Sequence, residues 1–324
     1  MNGTSQSPVV SVIIPAYLAA SDIGAALDSV FAQTFSNFEV IIVNDGSPDT
    51  PELEAAIAPY RSRVGYIVQP NKGAAAARNT GVRTARGQYL AFLDADDLWE
   101  STFLRRQTWF LDATPACTLV YSDAAITGQS PLAGRRFMDS APSDGPVTLI
   151  SLIEQRCNVL MSTVVARRQA IVEAGLFDES LRRGQDFDMW LRLAARGHQM
   201  AYQHIVLAER RARANGLSGD AVTELKRAIN VLDRFGRQHE LPPQAQTALR
   251  VQLVKLMSRL EVEQGKQRML EGNFAAARHH MAVSEPKTLR HRAALLGLRV
   301  APRLIRRLYM AWRSQPVVDP ALTR

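Results

Sequence analysis

The apolar run Tyr89-Leu90-Ala91-Phe92-Leu93 stops abruptly at Asp94-Ala95-Asp96-Asp97, three carboxylates in four residues. A short, unbroken apolar run predicts a strand buried on both faces, the kind found in parallel sheets. Acids directly after it fall at the strand's carboxyl end, where open α/β sheets bind ligands. Asp94 and Asp96 flank one residue, so on extended backbone both side chains point the same way. Paired hard oxygen donors suit Mg²⁺ or Mn²⁺ carrying phosphates. A second reading makes Asp96 or Asp97 the N-cap of a helix starting near Leu98.

The surrounding pattern favours a sheet. Val9–Ile14 reads as a buried strand ended by Pro15, Phe38–Val43 as a second and Val64–Val68 as a third. Helical spacing over Ile23–Phe31, a short helix at Glu52–Ala58, and an alanine-rich helix from Asn71-Lys72-Gly73 to Thr84 separate them. Strand and helix in alternation imply right-handed βαβ units and a mainly parallel sheet. Beyond Trp99 a helix is expected at Phe103–Leu111, a strand at Thr118–Tyr121, a helix at Asp186–Ala195 and a strand at Met200–His204. Residues 128–146, rich in Gly, Ser, Pro and Asp, read as a mobile loop.

From Ala221 onward only helices are expected: Ala221–Phe235, Ala245–Glu263, Phe274–Ser284 and Thr288–Trp312. Gly272-Asn273-Phe274 followed by three alanines suggests one helical hairpin. Charge divides the chain in the same place. Residues 1–220 hold 20 Lys+Arg against 23 Asp+Glu, and residues 221–324 hold 19 against 8, so the whole net charge of +8 arises in the C-terminal third. The expected domains are 1–219, an α/β catalytic domain, and 220–324, a basic helical region. Cys117 and Cys157 offer neither a disulfide framework nor metal-ligand spacing and read as small buried hydrophobes. Met1–Pro8 lacks a signal-peptide pattern, and no run approaches the ~18 apolar residues of a membrane span. A cytoplasmic protein is expected.

Five stretches in order resemble family-2 glycosyltransferases of the GT-A fold. They are Ser11–Tyr17 (SVIIPAY), Ile41–Ser47 (IIVNDGS), Asn71-Lys72-Gly73 with Ala77–Gly81 (ARNTG), Gly87–Asp97 (GQYLAFLDADD) and Gly184–Leu193 (GQDFDMWLRL). The resemblance covers about residues 9–200 and leaves the C-terminal third outside. It implies a GT-A-type mixed, mainly parallel sheet flanked by helices, and inverting transfer of a hexose from a nucleotide sugar, UDP-linked by preference. Pro15, Ala16 and Tyr17 would line the nucleotide pocket. Asp45 would accept a hydrogen bond from the base, and Arg78 would contact base or phosphates unless it is a solvated helix-face charge. Asp94 and Ala95 would adjoin the donor. Asp96 would ligate Mn²⁺ or Mg²⁺ while Asp94 orients ribose or a metal-bound water.

Asp186 would be the general base, taking the acceptor hydroxyl's proton during attack on the anomeric carbon. Its bland alternative is the N-cap of the following helix. Asp188 reads as a first-turn dipole partner and Trp190 as core. Two departures stand out: Gln185 replaces the acid that usually precedes the base, and Arg210-Arg211-Ala212-Arg213 stands where many relatives carry Tyr-Arg-x-His. Arg211 or Arg213 would contact the diphosphate as a fixed cation or lie on a solvated loop. Asp123 is a lesser acceptor-side candidate.

Residues 287–313 contain eight Lys and Arg and no acid. On one helix Arg292, Arg299, Arg303 and Arg306 would oppose Leu298, Leu304, Ile305, Leu308 and Trp312, with Pro302 starting or kinking it. Such a face suits an anionic membrane surface next to a glycan or lipid-linked acceptor; packing on the catalytic domain is the alternative. No nucleic-acid motif accompanies the charge. Two other classes compete. A nucleotidyltransferase would show a glycine-rich loop after the first strand, which Pro15-Ala16-Tyr17 does not provide. A catalytically weak membrane-surface scaffold is motivated by Gln185 and the absent histidine, and opposed by Asp45, Asp94, Asp96 and Asp186.

Overall fold

Eight strands form one mixed sheet in the order β3-β2-β1-β4-β7-β6-β8-β5. The computed structural model describes residues 7–212, 221–284 and 289–313. Its first half runs β1 (Val10–Ala16), α1 (Ile23–Phe31), β2 (Phe38–Asp45), α2 (Thr50–Ile57), β3 (Val64–Gln69), α3 (Ala74–Thr84), β4 (Tyr89–Phe92). There follow β5 (Leu98–Trp99), α4 (Phe103–Ala113), β6 (Cys117–Gly128), α5 (Leu149–Ile153), β7 (Val165–Arg167), α6 (Arg168–Glu173), α7 (Gln185–Ala195) and β8 (Gln199–Ala212). The chain divides into two compact units, 1–214 and 215–324.

β1 pairs in parallel with β2 on one side and β4 on the other, and β3 extends the sheet beyond β2. The carboxyl ends of all four strands therefore share one edge. The chain reverses its direction of travel across the sheet between β3 and β4, which opens the crevice for a ligand there. Alternation places helices on both faces. Val12 and Ile14 belong to a core with Ile23, Leu27 and Val30 of α1 and Phe103 and Leu104 of α4. Ile13 points the other way, against α3. A Cβ at Gly81 would lie 2.5 Å from Ile13 Cγ2. Because Ile13 is fully buried and β-branched, it has no room to retreat. Gly81→Ala is expected to lower unfolding free energy by about 1–3 kcal/mol through overpacking, read from the urea midpoint at unchanged m.

Several expectations need correction. No helix starts near Leu98: Leu98 and Trp99 form β5, antiparallel to β8, so the aspartates cap nothing there. Pro15 does not end β1; Pro15 and Ala16 remain paired with β2, and the ladder with β4 ends at the Ile13–Phe92 pair, so Pro15 interrupts no pairing with it. The strands expected at Thr118–Tyr121 and Met200–His204 extend to 12 and 14 residues and pair in parallel along their length. Residues 129–146 are tied down rather than loose. Ile126 N–H donates to Arg135 O (2.9 Å), Gly134 N–H to Ile126 O (2.8 Å) and Met138 N–H to Asp123 Oδ1 (3.1 Å). Cys117 and Cys157 are free and buried.

The second unit is helical as expected: α8 (Ala221–Gln238), α9 (Pro243–Leu270), α10 (Phe274–Val283), α11 (Leu289–Val300) and α12 (Pro302–Arg313). α9 and α10 form a hairpin turned at Gly272 (φ +84°), and Asn273 Oδ1 accepts from Ala276 N–H at 3.1 Å to cap α10. The single helix expected over Thr288–Trp312 is two, because Pro302 opens a new one. The basic and apolar faces do not run straight through the break. Leu298 and Ile305 pack with Met269, Ala277 and Met281 in a small core, whereas Leu304 (54%) and Leu308 (57%) are exposed. Lys287 and the side chains of Arg290 and Trp312 lie outside the described residues. Among the described residues no helix is long and apolar enough to cross a membrane.

Candidate active site

The turn after β4 is held from three directions. Asp97 N–H closes it on Asp94 O at 3.0 Å. Asp97 itself is buried; Ser162 Oγ donates to its Oδ2 (2.6 Å) and Arg211 N–H to its Oδ1 (3.1 Å). Ser162 Oγ also accepts from Asp94 N–H (3.2 Å), and Trp99 Nε1 donates to Ser162 O (2.6 Å). Burial, then the adjacent Asp94 and Asp96 charges, push the Asp97 carboxyl well above the usual carboxylate range. The third acid of the motif is thus a structural anchor, whereas Asp94 and Asp96 are half-buried.

Arg211 is a brace from β8. Its Nε donates to Asp96 O at 2.6 Å, and its guanidinium reaches Asp22 Oδ1 at 3.4 Å. The solvated-loop reading of Arg211 therefore fails: the residue sits on a strand, with a charge fixed beside the acidic turn. Arg213 lies outside the described residues. Arg210 stacks its guanidinium over Phe137, 5.3 Å from the ring centre.

Arg78 is 5% exposed, so it is no solvated helix-face charge. Its Nη2 meets Asp94 Oδ1 at 2.6 Å, while Nε and Nη1 are buried with no hydrogen-bond partner. A buried guanidinium satisfied on one side only is costly unless a ligand completes it. α3 carries this arginine to the carboxyl end of β4, and Asn79 beside it fixes what comes next. Asn79 Nδ2 donates to Phe177 O (2.8 Å) and Asn79 Oδ1 accepts from Phe177 N–H (2.9 Å), tying α3 to the segment that enters α7. This link was not assigned from sequence; an asparagine between an arginine and a threonine reads as surface until its partner almost a hundred residues away is seen.

Asp45 is buried and accepts three hydrogen bonds: Gln69 Nε2 (2.7 Å) and Lys72 N–H (3.0 Å) at Oδ1, and Gly73 N–H (2.7 Å) at Oδ2. A carboxylate offers about four lone-pair positions, so one remains for a ligand N–H. Gly46 follows at φ +61°, where a Cβ would lie 2.6 Å from Asn71 N; only glycine fits. Tyr17, just past β1, is 48% exposed, and Leu18 N–H donates to Ser47 Oγ (2.7 Å), so the β1 and β2 loops stand side by side. Pro15 is partly buried, and Ala16 and Ala95 are buried.

α7 begins on Gly184 (φ +79°), so Asp186 is not its N-cap. Asp186 stands in the first turn, half-exposed, and among the described residues its carboxylate makes one hydrogen bond, from Phe187 N–H to Oδ1 (2.8 Å). Oδ2 is left available to a proton. Asp188 is different: it is buried and bonded to Arg192 Nε at 2.8 Å, whose Nη2 caps Leu176 O (2.7 Å). Gln185 is buried with Oε1 unpartnered. Trp190 is core, edge-on to Phe177. Asp123 is buried beneath residues 129–146, not presented to an acceptor.

Among the described residues no three His, Cys, Asp or Glu side chains converge as a ready-made metal site. The donor set still fits a cation that arrives with a ligand's phosphates, since Mg²⁺-type ions are commonly held by one or two carboxylates plus phosphate oxygens.

The sequence model described as glycosyl transferase family 2 matches residues 11–155. An Escherichia coli relative, the UDP-Glc:alpha-D-GlcNAc-diphosphoundecaprenol beta-1,3-glucosyltransferase WfaP, is 31% identical over 233 residues, covering 70% of this chain and 87% of its own. An uncharacterized glycosyltransferase of Rickettsia prowazekii is 29% identical over 227 residues, covering 68% and 69%. Staphylococcus aureus TarS 1-349, solved in complex with UDP-GlcNAc, superposes with TM-score 0.61 at 17% identity, covering 94% of this chain and 92% of that one. The Pyrobaculum calidifontis mannosyltransferase PcManGT, solved with GDP-Man and Mn²⁺, gives 0.59 at 16%, covering 96% and 89%. At these identities the two structures speak to the fold, which is GT-A-like.

Proposed function

The chain belongs to glycosyltransferase family 2, and from that premise we propose that it moves a hexose from a UDP-sugar to a hydroxyl of a lipid-linked glycan precursor, with inversion. The observation that carries this reading is Arg78: a buried guanidinium paired with Asp94 and otherwise unsatisfied, at the carboxyl end of a parallel strand. A donor diphosphate would supply the missing acceptors. Asp45, with one lone pair unclaimed, receives the base N–H, and Tyr17 closes the nucleotide pocket beside Pro15, Ala16 and Ala95. Asp96, with Asp94 orienting, would hold Mn²⁺ or Mg²⁺, which would supply charge neutralisation for the leaving diphosphate. Asp186 accepts the proton of the attacking hydroxyl as the new C–O bond forms and the bond to the diphosphate breaks. Arg211 is a positioning residue that fixes the Asp96 backbone.

Catalysis is assigned to 1–219. Residues 220–324 contribute a membrane-facing surface, supported by exposed Leu296, Val300, Leu304 and Leu308 among exposed Arg292, Arg299, Arg303 and Arg307. The lipid-linked acceptor of the E. coli relative fits an enzyme that works at the inner face of the cell membrane.

The test is a thermal-shift screen against nucleotides and nucleotide sugars with and without Mn²⁺. A ligand at 100 times its Kd adds about 2.7 kcal/mol to stability. Mn²⁺-dependent stabilisation by one UDP-sugar is expected and would name the donor. Absence of a shift with every nucleotide, in protein that melts cooperatively, would favour the scaffold reading instead.

A further inference from the structure

A cleft of about 480 Å³ in the C-terminal unit is lined by Arg303, Arg306, Arg307, Met310, Gly272 and Phe274. Three arginines within five residues repel one another across one side of α12. Among the described residues none of the three has a carboxylate partner; Glu271, next to Gly272 of the cleft, is bonded to Arg268 at 2.8 Å. Arg306 Nε is buried with no hydrogen-bond partner. Gly272 and Phe274 flank Asn273, the N-cap of the ten-residue α10, so the positive end of that helix adds to the same cleft. Nothing described in the chain balances this charge, and the buried, unpartnered Nε of the partly exposed Arg306 marks a place where an acceptor is missing.

At 3.6 residues per turn, Arg303, Arg306, Arg307 and Met310 share one side of α12, and the exposed Leu304 and Leu308 form the adjoining strip. Phosphate-binding side chains and exposed leucines are thus edge to edge. We propose that this cleft binds the phosphate of a membrane lipid headgroup, favouring a terminal, doubly charged phosphate, while Leu304 and Leu308 enter the acyl boundary. Each planar guanidinium fork takes two phosphate oxygens, and three arginines can engage the three free oxygens and double charge of a terminal phosphate, where a diester offers two oxygens and one charge. The site is separate from the donor pocket in sequence and in kind. The assignment rests on the membrane-facing part of the proposed function and not on its sugar chemistry.

Vesicle flotation of the full chain tests it, using phosphatidylcholine vesicles doped with phosphatidic acid or with phosphatidylglycerol at matched zeta potential. Wild type is expected to bind the phosphatidic acid vesicles at least tenfold more tightly. Arg306→Gln should erase that preference, and Arg292→Gln, an exposed arginine outside the cleft, should change it less than threefold. The double variant Arg303→Gln/Arg307→Gln, at two exposed positions, should reproduce the Arg306→Gln loss with an unchanged melting curve, which guards against misfolding at the partly buried site. Equal binding to both vesicles with no difference among variants would overturn the cleft and leave only diffuse charge at the membrane. Failure to float with any anionic vesicle would overturn the membrane reading as well. Tight binding of inorganic phosphate by calorimetry that Arg306→Gln abolishes, without vesicle binding, would assign the cleft to a soluble phosphate and refute the lipid.

Discussion

Asp186→Asn is expected to reduce the rate of sugar transfer by about 10²–10⁴-fold, the usual worth of a positioned general base, while leaving donor binding intact. Asparagine has nearly the same shape and keeps an oxygen to accept from Phe187 N–H, so the first turn of α7 survives. It lacks the basic oxygen that would take the acceptor's proton. The helix does not depend on Asp186 for its place, because the buried Asp188–Arg192 pair and the Arg192 cap on Leu176 O hold it. Asp188→Asn makes the contrast: removing one member of a buried pair costs about 3–5 kcal/mol, so it should lower the melting temperature rather than the turnover of folded enzyme. Steady-state kinetics and donor-induced thermal shift, measured on both variants, separate the two roles. Transfer at the wild-type rate by Asp186→Asn would remove Asp186 as the base.

The part of this site that could be read from sequence is the part built on continuous apolar strands. β4 is buried throughout and β1 and β2 over most of their length, so their apolar runs stop where the backbone leaves the sheet, and the residues at those stops, Tyr17, Asp45 and Asp94, stand on one edge by topology alone. What escaped is long-range pairing. β5 is two residues long and exists because β8 lies beside it; no local period marks a strand of that length. β8 runs for 14 residues through a mixture of polar and apolar side chains, so its length was not legible, and Arg211, open between a diphosphate contact and a solvated loop, is a strand residue bonded to the acidic turn. Residues 129–146 have loop composition, and their hydrogen bonds reach β6, β8 and residues 156–158, which composition does not reveal. Asp97 read as a possible cap because an acid before an unassigned segment usually is one; its burial and its partners Ser162 and Arg211 are tertiary facts.

Asp96→Ala should abolish stabilisation by a UDP-sugar with Mn²⁺ and reduce transfer at least a hundredfold, while the unliganded protein melts within a few degrees of wild type. The turn around Asp96 is secured by its neighbours and its own backbone: Asp97 by Ser162 and Arg211, Asp94 by Arg78, and the Asp96 carbonyl by Arg211 Nε. Truncating the side chain therefore leaves the turn's backbone bonds in place and removes a carboxylate oxygen donor. With two protein carboxylates at most available, losing one takes away a large share of what the protein offers a hard divalent cation. Arg211→Met supplies the opposing case. It keeps both carboxylates but frees the Asp96 backbone, so Mn²⁺-dependent stabilisation should weaken severalfold without vanishing, and a higher Mn²⁺ concentration should restore transfer. If Asp96→Ala bound the donor with Mn²⁺ as tightly as wild type, the ligand role would pass from Asp96, and Asp94 would have to serve alone while still paired to Arg78. Titrating Mn²⁺ against donor-induced thermal shift in the three proteins distinguishes ligand from brace, because losing a ligand moves the Mn²⁺ midpoint much further than loosening the backbone that positions it.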